Sequence, residues 1–490
     1  MIPMTVADIA KAVGGRLHRT DGTELVTGTV EFDTRKITEG GLFIALPGER
    51  VDGHDFAAQA VASGAVAVLA AREVDAPAII VPAVEHTESR SYVLAGDTDG
   101  SGAAVLAALS NLATSVVTGL AAKGLAVVGV TGSSGKTSTK DLIAQVLAVS
   151  GPTVAPPGSF NNELGHPWTV LRSDAGTRHL VLELSARGVG HIAALCRIAP
   201  PRIGVVLNVG TAHLGEFGSR ETIAQAKGEL VEALPADGLA VLNADDPLVA
   251  AMAGRTKAKV VLVGENPDAD IRATGVELDE NARPTFTLVT KDGSAPVRLQ
   301  VSGVHQVGNA LSAAAVALEL GASVDEAATA LSNAAPVSAR RMHVTQRADG
   351  LTVVNDAYNA NPESMAAALK ALATMARATN PPRRSWAVLG PMGELGEDHI
   401  ARHDEIGRLA VRLDINRLVV VGAEAAALHQ GAHLEGSWGD ESVQVADADA
   451  ALTLLRAEAG PGDVVLIKAS NAYQLWRVAD GLLDLEESTS

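Results

Sequence analysis

Apolar runs that do not alternate with polar positions dominate the middle of the chain. Residues 125–130, 179–184, 203–209, 239–242 and 259–263 are largely apolar on successive positions. A strand with that pattern is buried on both faces, which predicts a mostly parallel sheet covered by helices on both sides. An alanine-rich helical pattern at 309–321 closes this unit. After Pro336 the pattern repeats, with strands at 352–356, 386–390, 417–421 and 463–467 and helices at 363–376 and 403–413. Strand–helix alternation implies right-handed crossovers, with ligands outside the carboxyl ends of the strands. Ahead of both units, Thr5 can cap a short helix ending at Gly14 and Gly15, and short strands read at 64–71 and 78–81. A loop rich in Gly, Asp and Ser at 96–102 separates this small α/β unit from the rest. The expected domains are therefore 1–100, 101–338 and 339–490.

Length and composition agree with that division. The 490 residues are too many for one core and suggest about three domains at roughly 150 residues each. With 47% hydrophobic and 20% charged residues the chain reads as soluble and globular, and with 3% aromatics its cores rest on Ala, Val and Leu. A net charge of −18 argues against a nucleic-acid partner, which calls for a basic face. The one cysteine, Cys196, excludes an intramolecular disulfide and a cysteine–zinc cluster. The first residues lack a basic stretch leading into an apolar run, and the most apolar later stretch is interrupted by Ser110, Asn111 and Lys123. No membrane span and a cytoplasmic location are the expectation.

Candidate chemistry begins at 125–140, where a buried-strand pattern runs into Gly132-Ser133-Ser134-Gly135-Lys136-Thr137-Ser138 and then a helix. Glycines there let backbone N–H groups approach phosphate oxygens, Lys136 supplies a cation, and the Thr137 hydroxyl can ligate magnesium at the positive end of a helix. Val130 stands where the longer P-loop pattern has glycine, so this is the short G-x-x-G-K-T form of a triphosphate cradle. Glu183, His213 and Lys227 follow, near strand ends or on the next helix; each alone is ordinary, but together with a phosphate loop they suggest a metal site.

These motifs, in this order, resemble the Mur ligase family over nearly the whole chain. The first domain carries Asp33-Thr34-Arg35, a Gly-Gly-Leu-Phe-Ile-Ala-Leu-Pro-Gly run from 40 and Asp52-Gly53-His54. The central domain adds Ser159-Phe-Asn161-Asn162-Glu-Leu-Gly, the run from Glu183 through Ser185 to Arg187, Gly-Thr-Ala-His-Leu-Gly from 210 and the segment around Asn309. The last domain contributes Arg341, Asp356-Ala-Tyr-Asn359-Ala-Asn361-Pro-Glu-Ser-Met and Leu-Gly-Pro-Met-Gly-Glu-Leu-Gly from 389. The resemblance implies a small UDP-binding domain, a central P-loop ATPase domain and a C-terminal Rossmann-like domain. It further implies ATP, two magnesium ions, a UDP-N-acetylmuramoyl-tripeptide acid and D-alanyl-D-alanine as the amine, in a monomer.

Residue by residue, the resemblance puts Lys136, Glu183, His213, Lys227, Arg341 and Asp356 in catalysis. It gives the nucleotide to residues 132–138, Asn309, Arg341, Asp356 and Asn359, and the metals to Thr137, Glu183, His213 and Lys227, with Lys227 carbamylated by carbon dioxide. Substrate contacts fall on Thr34, Arg35, Gly53, His54, Asn161, Asn162, Ser185, Arg187 and Asn361. An ordinary lysine pKa of about 10.4 leaves little neutral amine, so that modification needs a metal to trap it. Where the family often has Lys-Gly-Ser-Arg, this chain has Lys468-Ala-Ser-Asn471; Lys468 reads equally as a substrate contact or a strand-end lysine, and Asn471 stands in place of the arginine. A relative adding the preceding residue, a folate-type glutamate ligase and an ATP-binding protein without turnover remain as alternatives.

Overall fold

The structure, a computed structural model, describes residues 1–48, 51–82, 84, 94, 97–211, 214–437, 439 and 441–484. Three larger sheets carry the fold. A five-stranded sheet orders Arg16–His18, Ala78–Ile80, Ala65–Ala70, Gly41–Ile44 and Val30–Glu31, parallel except at its first pair. The helix Val6–Val13 starts at Thr5, whose side chain accepts from the Asp8 amide, and stops at left-handed Gly14.

The central sheet has nine strands, and its parallel part comprises Thr153–Val154, His179–Glu183, Ala126–Thr131, Ile203–Val206, Leu239–Asn243 and Lys259–Gly264 in spatial order. The apolar runs split between its two faces: Val127, Leu180 and Leu182 join one core, Val128, Val130 and Val181 the other. Burial on both sides is what made these runs continuous, each Val or Leu contributing about 1.5–3 kcal/mol. Beyond Lys259–Gly264 the sheet continues through Ile271–Leu278, Pro284–Thr290 and Gly293–Arg298, the last two pairings antiparallel. This extension alternates buried and exposed positions, as one-sided antiparallel strands do.

The helix Ser101–Ala121 buries Val105, Leu109, Leu112 and Val116 in the core shared by the first two sheets. It is the one helix among the described residues long and apolar enough to span a membrane, and 56% of that window is buried in the fold. An aromatic cluster ties the same two sheets: Phe160 lies 4.8 Å from Trp168 and 6.5 Å from Phe32, and the Trp168 indole donates to the Val30 carbonyl at 2.9 Å.

The third sheet orders His343–Gln346, Thr352–Asn355, Val464–Lys468, Ser385–Leu389, Arg417–Val421 and Ser442–Val445, antiparallel only at its first pair. Separate cores cover its two faces. Both larger sheets change direction internally. The chain runs from Ala126–Thr131 to the near edge, returns at His179–Glu183, then crosses to Ile203–Val206, which opens a crevice at the carboxyl ends.

Candidate active site

That crevice faces the carboxyl ends of Thr352–Asn355 and Val464–Lys468, and the two sheets enclose a cavity of about 970 Å³. Its lining includes Ser133 to Ser138, Asn161, Glu183, Ser185, Arg187 and Asn309 from the central sheet and Arg341, Asp356, Asn359, Asn361, Lys468 and Asn471 from the third. The phosphate loop at its floor is shaped by several contacts. Gly135 has φ +80° and starts the helix Lys136–Ala148; a Cβ there would lie 2.9 Å from the Asn309 side-chain oxygen. The Ser134 amide donates to Asn208 Oδ1 at 2.9 Å and the Gly210 amide to Ser133 Oγ at 2.9 Å. Lys136 Nζ folds onto the Gly132 carbonyl at 2.8 Å. Burial lowers its pKa, with Glu183 opposing and Arg341 adding to the shift.

Thr137 and Glu183 meet as the motif requires. The Thr137 hydroxyl lies 2.9 Å from Glu183 Oε2, and Asn161 Nδ2 donates to Oε1 at 2.8 Å. Arg341 donates to Thr137 Oγ1 at 3.3 Å and Ser159 Oγ at 3.1 Å, while its guanidinium covers Tyr358 at 4.2 Å. A magnesium ion fits this donor set: it prefers oxygen and usually takes only one or two carboxylates beside substrate phosphates. Among the described residues no three His, Cys, Asp or Glu side chains form a metal cluster. His213 lies outside the described residues.

Lys227 sits on the helix Arg220–Glu232, 5% exposed and outside the cavity lining. Burial, and then the Lys136 charge, hold its pKa well below the usual lysine value. The ordinary lysine pKa expected from the sequence does not hold at Lys227, since burial shifts the group toward its neutral form.

The first-domain residues stand apart, for Thr34, Arg35, Gly53 and His54 do not line this cavity. Arg35 is bidentate to Asp33 at 2.9 and 2.8 Å, which brings the Asp33 pKa down to about 2. His54 is buried with Nδ1 on Asp52 at 2.6 Å and Nε2 accepting from the Ala71 amide at 3.1 Å. Both ring nitrogens are engaged by the protein and hold the turn at Asp52. Asn162 accepts from the Gly165 amide at 2.9 Å and lies off the cavity. Asn361 caps the helix Pro362–Arg377 through the Ser364 amide, while still lining the cavity.

Asp356, expected at the nucleotide, lines the cavity. Oδ1 accepts from the Met342 amide at 3.0 Å and Oδ2 from Lys468 at 2.6 Å, so both oxygens are engaged by the chain. Lys468 is 2% exposed, and its ammonium also donates to the Asn359 carbonyl at 2.8 Å. Of the residues at the site, Ser159, Asn208, Tyr358 and Glu363 had no role assigned from the sequence. Asn208 and Glu363 carried a signal: the first is a polar residue ending an apolar strand run, the second an acid in the first turn of a capped helix.

The chain is similar to known proteins over nearly its whole length. The family descriptions "Mur ligase family, catalytic domain", "Mur ligase middle domain" and "Mur ligase, glutamate ligase domain" match residues 28–112, 130–317 and 340–471. A UDP-N-acetylmuramoyl-tripeptide–D-alanyl-D-alanine ligase of Mycobacterium tuberculosis is 62% identical, covering 99% of this chain and 98% of that protein. The Escherichia coli enzyme of the same name is 34% identical, covering 98% and 99%. Among solved structures, MurF from Acinetobacter baumannii superposes with a TM-score of 0.83 at 30% identity, covering 98% and 99% of the two chains. MurF ligase from Thermotoga maritima in complex with ADP gives 0.77 at 29% identity, covering 95% and 99%.

Proposed function

The chain belongs to the Mur ligase family, and on that premise we propose that it joins D-alanyl-D-alanine to a UDP-N-acetylmuramoyl-tripeptide at the expense of ATP. The observation that carries the reading is the shared cavity, where the phosphate loop of one sheet faces Arg341 and the strand ends of another. The γ-phosphoryl group passes to a tripeptide carboxylate oxygen as the β–γ bridge breaks and ADP leaves. The dipeptide amine then attacks the acyl carbon, loses its proton, and expels inorganic phosphate that retains that oxygen.

Little covalent work falls to the protein; positioning and charge stabilisation dominate. The glycine turn at Gly135 and Lys136 at the start of the following helix bind the phosphates, and Arg341 is aimed at the same end from the opposite sheet. Thr137 and Glu183, with His213 and a carbamylated Lys227 as further family-derived candidates, would hold the two magnesium ions. Bound magnesium neutralises charge on the phosphate oxygens. Asn161 keeps the Glu183 carboxylate turned toward Thr137, and Ser185 and Arg187 offer polar groups to the tripeptide. The first domain takes the UDP end. We place the reaction in the cytoplasm, carried out by a monomer of three domains, 1–100, 101–338 and 339–490.

The test is incubation with ATP, magnesium, D-alanyl-D-alanine and the tripeptide nucleotide carrying either lysine or diaminopimelate. Mass spectrometry is expected to find one nucleotide-linked pentapeptide, with ADP and phosphate in equal amounts. ATP consumption without that product, or product with a single amino acid in place of the dipeptide, contradicts the proposal.

A further inference from the structure

Arg341 reaches the phosphate loop from a backbone segment that would not hold itself there. Its neighbours Arg340 and Met342 have φ of +61° and +49°. Non-glycine residues in the left-handed region are uncommon, and they persist where the surroundings fix them. Here the fixing contacts run in a line. The Met342 amide donates to Asp356 Oδ1 at 3.0 Å, Asp356 Oδ2 takes Lys468 Nζ at 2.6 Å, and Lys468 also donates to the Asn359 carbonyl at 2.8 Å. Asp356 directly follows the strand Thr352–Asn355, Lys468 ends the neighbouring parallel strand, and the Asp356 amide is itself held by the Ile467 carbonyl at 2.9 Å. The guanidinium of Arg340 lies on Trp476 at 3.9 Å, which anchors the other side of Arg341.

We propose that Lys468 is a positioning residue for Arg341: through Asp356 it pins the Met342 amide and so sets the aim of Arg341 at Thr137 and Ser159. The pair is nearly dry, with side chains 2% and 10% exposed, so removing one member leaves a buried charge that must find water or a proton. Two of the three ammonium donors are committed within the chain, which is the arrangement of a clamp. The inference rests on the phosphate-loop reading of the site for its kinetic part only.

The experiment compares Lys468→Met, Arg341→Ala and the double variant, with turnover and Michaelis constants measured for all three substrates and amide exchange followed in ligand-free protein. Each single variant is expected to lose about ten- to a hundredfold in kcat, the size of one charge-assisted contact, with the peptide substrates' KM within about twofold. The double variant is expected to fall no more than about threefold below the worse single, because the two act through one group. Exchange at the Met342 amide is expected to accelerate at least tenfold in Lys468→Met; this readout needs no substrate and so separates the clamp from the ligase assignment. Should Lys468→Met fail to fold, Lys468→Met combined with Asp356→Leu removes both charges. It is expected to retain the wild-type Tm within a few degrees while kcat stays low and Met342 exchanges fast. Losses that multiply in the double variant, a raised peptide KM with kcat preserved, or unchanged Met342 exchange would each overturn the proposal.

Discussion

Replacing Glu363 by alanine tests how the two larger sheets are held around the cavity. Glu363 lies in the first turn of the helix Pro362–Arg377, and its Oε1 accepts the amide and, at 2.9 Å, the hydroxyl of Thr211 on the opposite sheet. Two charge-assisted bonds at roughly 1.5 kcal/mol each contribute about 3 kcal/mol to the closed arrangement. The other oxygen, Oε2, is buried without a hydrogen bond, so truncation also relieves a desolvation cost. Setting that relief at about 1 kcal/mol leaves ~2 kcal/mol, or ~30-fold in the balance between closed and open forms. Arg341 still bridges the same two sheets through Thr137 and Ser159, and Arg187 to Glu394 is a longer contact at 3.8 Å; neither takes over the Thr211 amide and hydroxyl. Small-angle scattering with an ATP analogue, magnesium and the tripeptide nucleotide should report a larger radius of gyration for Glu363→Ala than for wild type, with kcat/KM reduced about tenfold or more. Glu363→Gln, which keeps the acceptor without its charge, should fall between them. Wild-type scattering and wild-type kcat/KM in Glu363→Ala would refute the latch.

Three further outcomes follow from the same geometry. Glu183→Gln preserves shape but removes the carboxylate that faces Thr137, and is expected to cut kcat by about a hundredfold or more while the protein keeps its Tm; near-wild-type turnover would exclude Glu183 from the site. His166 is fully buried, with a pKa pushed by desolvation from 6.5 to about 4, so the unfolded chain binds the extra proton between those values. Its contribution is intact above pH 6.5 and is lost as pH falls toward 4, by up to about 3 kcal/mol; His166→Leu should flatten that part of the denaturant-midpoint profile, and an unchanged acid slope would count against it. Lys227 has its pKa lowered by burial and Lys136, so the unfolded chain holds more protons across the alkaline range and stability should rise with pH there relative to Lys227→Met. Labelled carbon dioxide should also give a carbamate signal by carbon-13 NMR that Lys227→Met lacks.

The alternation of strands and helices was legible in the two larger sheets where both faces of a strand are buried, while the equally buried Gly41–Ile44 of the first sheet was not read as a strand. Ala126–Thr131, His179–Glu183 and Leu239–Asn243 lie within a residue or so of their apolar runs. Strands buried on one face were missed: Pro284–Thr290 mixes Thr with apolar residues, and its burial is decided by neighbours far along the chain. Helices such as Ala426–Glu435 and Ala448–Glu458 were also passed over, because alanine-rich segments give little contrast between their faces.

At the site, local motifs identified the phosphate loop, since its chemistry is carried by adjacent residues. Long-range partnerships were illegible. Nothing near Asp356 in the chain indicates that Lys468, 112 positions on, takes its carboxylate. Nothing around His54 says that both ring nitrogens are already engaged. Burial likewise changed the reading of Lys227, whose depressed pKa depends on how the helix Arg220–Glu232 packs and on the charge of Lys136.

The account turns on a phosphoryl group being handed to a peptide acid, and oxygen-isotope transfer tests that step directly. The tripeptide nucleotide is prepared with oxygen-18 in its reacting carboxylate and turned over with ATP, magnesium and D-alanyl-D-alanine, and the released phosphate is analysed by mass. One labelled oxygen per phosphate is the predicted result. Unlabelled phosphate accompanying normal product formation would contradict an acyl phosphate and with it the mechanism assigned to this cavity.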